Sequence, residues 1–428
     1  MQNFTQEEYY MKRSVCLIML VFMLCSLCAC NEDDHSLLND YKKSEDIPVY
    51  DFMSEEAEAP EGYEDYTAGA TEFAFELLSQ LASNEDNVVL SPHSAATALS
   101  MLANGAANST RKQLRDVLGS GEDTAVINSG NHYLNSRLSS FNTKEWKMTS
   151  ANSLWLDDSF DVKPSFLQSA VNYYDAEVQR VVLTDAKDII NEWISENTDG
   201  EIREAVGDIA EDTKAMIVNA ALFDDEWVTP YEEGDIKDGV FRGAKGDTTA
   251  SYMTSEEAYL ETSFAKGFSK GFAHLPLKFA ALLPPEDTEI TKFAESLTAN
   301  RWQALLDSRR TTVFCKASIP QFDLRAQYSL TDPLKALGLT DAFDKDKADF
   351  SALSNSDKMF VSDVTQEAFV RINAKGVKAG AATVIKGNAM SAPSEEIKEL
   401  KFDRPFVFVI YDNESGIPVF TGIVNTIE

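Results

Sequence analysis

Basic residues are scarce in this chain: 38 Lys and Arg stand against 70 Asp and Glu in 428 residues, a formal net charge of −32. Nucleic acid is held sequence-independently by cations that displace counterions from phosphate, so the balance argues against such a partner. It gives solubility and repels anionic partners, and says nothing of fold. Histidine is scarce too. His35, His93, His132 and His274 are the full set, and none lies in a recognisable nucleophile or metal motif. With no Gly-rich phosphate loop in view, nothing asks for a cofactor, a metal or an enzyme active site. Cysteine is confined to Cys16, Cys25, Cys28, Cys30 and Cys315. No internal disulfide framework remains once a leader is removed. Cys315, between Phe314 and Lys316, is expected to be a buried strand residue.

What is present begins with a leader. Lys12 and Arg13 form a basic region, with Met11 an alternative start to Met1, and an apolar run broken only by Ser26 covers residues 15–27. That run is too short to span a bilayer and fits a signal sequence, residues 1–29. Leu27, Cys28, Ala29 and Cys30 resemble a lipobox in which Cys30 becomes the lipidated first residue; the alternative is an ordinary cleaved signal. Asn31, Glu32, Asp33 and Asp34 resemble the surface-export signals of Bacteroidetes-type lipoproteins. The expected location is therefore the bacterial envelope, at the outer membrane and the cell surface, or outside the cell if the anchor is absent. Residues 31–66 hold thirteen Asp and Glu against two Lys, so residues 30–66 are expected to be a disordered acidic tether.

Beyond it the composition, 44% hydrophobic and 25% charged, is that of a globular protein with ample core. Helical patterns start near Tyr66 and again after Ser91, which can cap free amides with Pro92 in the first turn. Thr110 and Gln113 have the spacing of a capping box. Further helices are expected around Ile190, Trp193 and Ile194, and around residues 330–337. Strand-like runs cover residues 215–223, 272–277, 279–283 and 311–322, and residues 406–411 with 418–424 read as a closing hairpin. Helices come first and strands later, without a βαβ rhythm: an α+β fold in one large domain, residues 67–428.

Residues 374–392 contain no proline, so no ladder donor is missing there. With period two, Val377, Ala379, Ala381, Thr383, Ile385 and Gly387 share one small or apolar face. Lys378, Gly380, Ala382, Val384, Lys386 and Asn388 form the other. The pattern of a half-buried strand runs straight into a segment with the composition of an exposed loop. Two conformations are one reading and a flexible linker the other.

Separated patches in order resemble the serpin family from about residue 66 onward. They include Asn87, Ser91, Pro92 and Ser94; Asn191 with Trp193; Val218 and Asn219 through Trp227; Pro320 with Phe322; Leu337 to Phe343; Asp403 to Phe408; and Val419 to Val424. The resemblance implies a single domain with three β-sheets, a helical N-terminal part and an exposed reactive-centre loop at about residues 374–400. Such a protein is a monomeric suicide-type inhibitor. A protease's serine or cysteine attacks the bait carbonyl and forms an acyl-enzyme. The cut loop then enters the central sheet as a new strand, driven by stored strain.

The same resemblance assigns roles. Gly376, Val377, Ala379, Ala381, Ala382 and Thr383 become the hinge. Ser91, Ser94, Asn219 and Gln366 lie beneath the sheet opening and control admission of the loop, and Trp227 lies near its point of insertion. The alternative for each is an ordinary interior residue. Gln366 stands where a histidine is usual in the family, and Ala374 and Lys378 where acidic residues are common, both expected to be exposed. The bait bond falls between Met390 and Ser391, which suits elastase-, chymotrypsin- or subtilisin-like targets, with papain-like enzymes as a further class. Lys386 is the alternative, and implies a trypsin-like target. The rival function is a non-inhibitory member of the family serving as a surface binding or carrier module.

Overall fold

The computed structural model describes residues 36–52, 57–119, 123–203, 206–211, 213–310, 313–355, 359–377 and 397–427. Its helices are α1 (Tyr63–Leu81), α2 (Pro92–Gly105), α3 (Asn108–Val117), α4 (Thr124–Ser139), α5 (Pro164–Tyr173), α6 (Lys187–Asn197), α7 (Ile290–Ser296), α8 (Ala299–Asp307) and α9 (Thr331–Ala336). The central one is α2, buried at every residue except Asn104. Its alanines and serines leave it without a solvent face, as an enclosed helix requires. Ser91 caps it by accepting a bond from the Ser94 amide at 3.3 Å.

The strands are β1 (Val88–Leu90), β2 (Lys147–Asp157), β3 (Glu177–Val181), β4 (Ala215–Glu226), β5 (Ile236–Gly243), β6 (Gly246–Glu261), β7 (Lys266–Gly271), β8 (Leu277–Leu283), β9 (Phe314–Pro320), β10 (Phe322–Ser329), β11 (Asp363–Ile372), β12 (Gly376–Val377), β13 (Lys398–Lys401), β14 (Phe406–Asp412) and β15 (Pro418–Val424). One sheet runs β10-β11-β12-β4-β2-β3. The remaining strands divide at the long β6, whose early residues pair with β5 and β9 and whose last four pair with β7. The three expected sheets are thus one of six strands and two that share β6. The hairpin expected at the C-terminus is β14 and β15, paired antiparallel. The strand expected at residues 272–277 is instead the turn between β7 and β8.

One face of the six-stranded sheet packs on the main cores with α1 and α2. The other carries α6, whose Ile190, Trp193 and Ile194 cluster with Val218 and Ala220 of β4.

Two sequence expectations are corrected. The acidic segment, expected to be disordered throughout, packs on the body from Leu37 to Phe52 and belongs to the compact unit that begins at Leu37. Leu37 donates to Val178 O at 2.9 Å, and Ser44 N to Asn172 Oδ1 at 3.0 Å. Ile47 is buried, and Tyr50 meets the Tyr133 ring edge-on at 4.8 Å. Leu37, Tyr41, Ile47, Tyr50 and Phe52 are enough apolar anchors to outweigh the acidic residues between them, which face water. The capping box also fails. Helix α3 starts at Asn108 with no side-chain cap. Thr110 Oγ1 instead accepts from Asp349 N at 3.0 Å, and Gln113 Oε1 from Asp341 N at 2.8 Å. Tertiary partners outbid the local ones.

Candidate functional site

The central seam is the pairing of β4 with β11. These strands are parallel, Asp363 to Phe369 lying beside Met216 to Leu222. Alternation along β4 sends Val218 and Ala220 toward α6, and Ile217, Asn219 and Ala221 to the opposite, core side.

At the upper end the seam is already wedged open. Gly376 and Val377 form β12, antiparallel to both neighbours: Val377 is opposite Asp225 of β4 and Ile372 of β11. Val377 is 0% exposed and packs among core residues, the parity expected of the hinge. Full burial of such a side chain is worth about 1.5–3 kcal/mol. Glycine is required at 376 because a Cβ there would land on the Asp225 carbonyl oxygen.

The turn that delivers the wedge is held from several sides. Asn373 Oδ1 accepts from Lys375 N at 2.8 Å and Gly376 N at 3.2 Å. Trp227 Nε1 donates to Asn373 O at 2.9 Å, and Trp227 N to Lys375 O at 2.8 Å. Trp227 itself stacks on Phe272 at 4.6 Å. It therefore sits at the mouth of the seam. Ala374, expected to be exposed, is half-buried, and its carbonyl accepts from Tyr231 N at 2.8 Å. Nothing in the sequence pointed to the support beneath. The buried Asp225 carboxylate accepts from Leu275 N at 2.8 Å and from His274 Nδ1 at 2.7 Å, and Trp146 stacks on the His274 ring at 3.5 Å.

Lower down, a polar cluster crosses the seam. Gln366 Nε2 donates to Asn219 Oδ1 and to Ser91 O, both at 2.8 Å, and Gln366 Oε1 accepts from Ser91 N at 3.0 Å. Asn219 Nδ2 donates to Ser94 Oγ and Asn152 Oδ1. Ser150 Oγ donates to Ser94 Oγ at 2.8 Å, and Ser91 Oγ to Val419 O at 2.8 Å. Ser91, Ser94, Asn219 and Gln366 are all at most 1% exposed. The structure brings together the four residues that the sequence grouped. It adds Ser150 and Asn152 of β2, which nothing in the sequence singled out.

Residues 378–396 lie outside the described residues, and with them Ala379, Ala381, Ala382, Thr383, Lys386, Met390 and Ser391; so does Cys30. Cys315 is 0% exposed, and burial, helped by the nearby Glu257 charge, pushes its thiol up to about 12. It is not a thiolate nucleophile near neutral pH.

The model of the family described as Serpin (serine protease inhibitor) matches residues 68–427. A serpin-like protein of Thermococcus kodakarensis is 30% identical over 381 residues, covering 87% of each chain. Serpin B3 of Homo sapiens is 29% identical, over 82% of this chain and 97% of its own. The native-state crystal structure of tengpin, a thermophilic serpin, superposes with a TM-score of 0.82 at 30% identity, covering 92% of this chain and 99% of that one. The chain belongs to the serpin family, whose members are in general protease inhibitors rather than enzymes.

Proposed function

We propose that this protein is a single-use trap for serine endopeptidases, with papain-like cysteine enzymes as a second class of target. One observation carries the reading: Gly376 and Val377, the two residues that lead into residues 378–396, already lie between β4 and β11 as the start of a strand. Continuing that register sets Ala379, Ala381 and Thr383 on the core side with Val377, and Thr383 between Asn219 and Gln366 of the polar cluster. It sets Lys378 between Asp224 and Arg371, and Lys386 between Met216 and Asp363, on the opposite side. No charge is forced into the core by insertion, which would otherwise cost several kcal/mol.

In this reading a target protease attacks the carbonyl of Met390 and expels the Ser391 amine, while the fragment that begins there stays packed through β13, β14 and β15. The freed segment inserts before water releases the acyl-enzyme. Cys30 carries a lipid that fixes the protein to the outer membrane at the cell surface. Each inhibitor works as a monomer.

A panel of elastase-, chymotrypsin-, subtilisin-, trypsin- and papain-like proteases tests this. The expected product is an SDS-stable covalent complex with at least one of them, together with a fragment beginning at Ser391 that separates on the denaturing gel. Cleavage with every enzyme and a stable complex with none would replace the trap by a substrate-like binder. A peptide beginning after Lys386 would move the bond to the alternative site. Labelled palmitate on Cys30, lost on its substitution by Ala, tests the anchor.

A further inference from the structure

We propose that Glu367 is a proton-controlled gate on the β4–β11 seam: its neutral carboxyl favours the closed sheet, and its ionised carboxylate favours the parted one. The inference rests on the insertion reading above and adds a regulator to it.

Glu367 lies next to Gln366 on β11. Its register partners are Ala220 across the seam and Gln327 of β10 on the other side. It shares the side of Ala220, under α6 and the segment that follows that helix. Only 4% of the residue is exposed, and its Oε1 has no hydrogen-bond partner. Burying a carboxylate with an unmet oxygen is costly, whereas a carboxylic acid in the same place is tolerated far better.

The surroundings do little to relieve that cost. On this side β4 offers Val218, Ala220 and Leu222, which carry no charge. Arg325 of β10 does bear on the carboxyl, but its guanidinium donates to Glu201 O and lies over the Phe369 ring at 5.6 Å. Arg371, on the same strand as Glu367, is paired with Asp323 at 2.8 Å. From α6 and the segment after it, Lys187, Asp188, Glu192, Glu196 and Arg203 line a cleft of about 860 Å³ that also borders Gln327, and Lys187 is paired with Asp208 at 3.0 Å. Asp208 and Asp363 line a second cleft with Gln327 and Thr365. Burial therefore prevails over the opposing pull of Arg325, and the carboxyl is raised to about 7.

Insertion must separate Glu367 from Ala220. The register of β12 sets Ala382 between them. While the strands are apart, water reaches the carboxyl, which returns toward its ordinary value of 4.5, and one proton passes to solvent. The sign follows from linkage. Below about pH 4.5 both states hold the proton and there is no effect. Between 4.5 and 7 only the closed sheet holds it, so opening is favoured up to about tenfold more for each pH unit. Above 7 both states are ionised and the profile is flat. Gln366 cannot titrate, so the adjacent polar cluster adds no slope of its own.

The test uses the full chain and a synthetic peptide with the sequence of residues 377–389, which must part β4 from β11 to anneal. Annealing is followed by native-gel mobility between pH 5 and 8.5. The wild type is expected to anneal at least about tenfold faster at pH 7 than at pH 5 and to level off above 7. Glu367→Gln is expected to anneal slowly with no such rise, and Glu367→Ala, also without the carboxyl, serves if the Gln protein does not fold. A wild-type rise that persists in either variant, or a flat wild-type profile, overturns the gate alone. No annealing at any pH in any of the proteins overturns the insertion reading and the gate with it.

Discussion

Gln366 and Asn219, 147 positions apart in sequence, close the seam between β11 and β4 through one hydrogen bond of 2.8 Å. Each is also tied to α2 or its cap, Gln366 through the Ser91 backbone and Asn219 through the Ser94 hydroxyl. Separating the strands must break the bond between them.

Removing one partner should therefore loosen the closed sheet. Gln366→Ala leaves Ser91 N without its acceptor and Asn219 Oδ1 without this donor, all of them buried. The expected loss is about 1–3 kcal/mol, read as a lower urea midpoint for the intact protein. Faster spontaneous loss of inhibitory activity on storage should accompany it. An unchanged midpoint would mean that the cluster does not hold the seam.

The hinge supplies a second expectation. Val377 is 0% exposed at the top of the seam, so Val377→Arg forces a cation out of the core or into it unpaired. The variant should be cut by the target protease at the wild-type rate and yield cleaved inhibitor in place of a covalent complex. Gly376→Ala should act in the same direction, since its Cβ meets Asp225 O. Complex formation at the wild-type stoichiometry by Val377→Arg would contradict insertion. The readout is the ratio of complex to cleaved protein on an SDS gel.

A third expectation concerns acid. His93 is 3% exposed near the start of α2, and its Nε2 donates to Asn135 Oδ1 at 2.8 Å. Burial lowers its pKa from 6.5 to about 4, with Asn135 and the Asp412 charge opposing. The unfolded chain thus takes up a proton below about 6.5 that the folded one refuses until about 4. Stability is intact above 6.5, falls as pH drops between these values, and is then flat. The loss is on the order of 3 kcal/mol. His93→Gln keeps a donor toward Asn135 and removes the titration. Its unfolding midpoint should fall less than that of the wild type between pH 6.5 and 4. Parallel profiles would remove His93 from the account.

The residues also mark how far local reading reaches. Ser91 followed by Pro92 is a helix start in almost any setting, and α2 begins there. Thr110 and Gln113 have an equally good local signature, yet both serve the segment around residues 340–349. A capping bond and a tertiary bond to the same oxygen are similar in energy, so the packed neighbour decides. The acidic residues after Cys30 suggested a free tether because composition averages over the segment. The fold reads Leu37, Tyr41, Ile47 and Tyr50 one at a time and finds a surface for each on β3, α4 and α5.

By itself the sequence determined what depends on alternation and on order along the chain: the capped α2, the β14–β15 hairpin, the core-facing parity of Val377 and, through motifs in a fixed order, the family. Tertiary structure alone decided what depends on distant partners. It made Asn152 and Ser150 part of the cluster, set Asp225 and His274 beneath the wedge, and left Glu367 buried with an oxygen unmet. Alternation is fixed by the geometry of each strand, whereas a buried group's partners and its proton are fixed by which strands lie beside it.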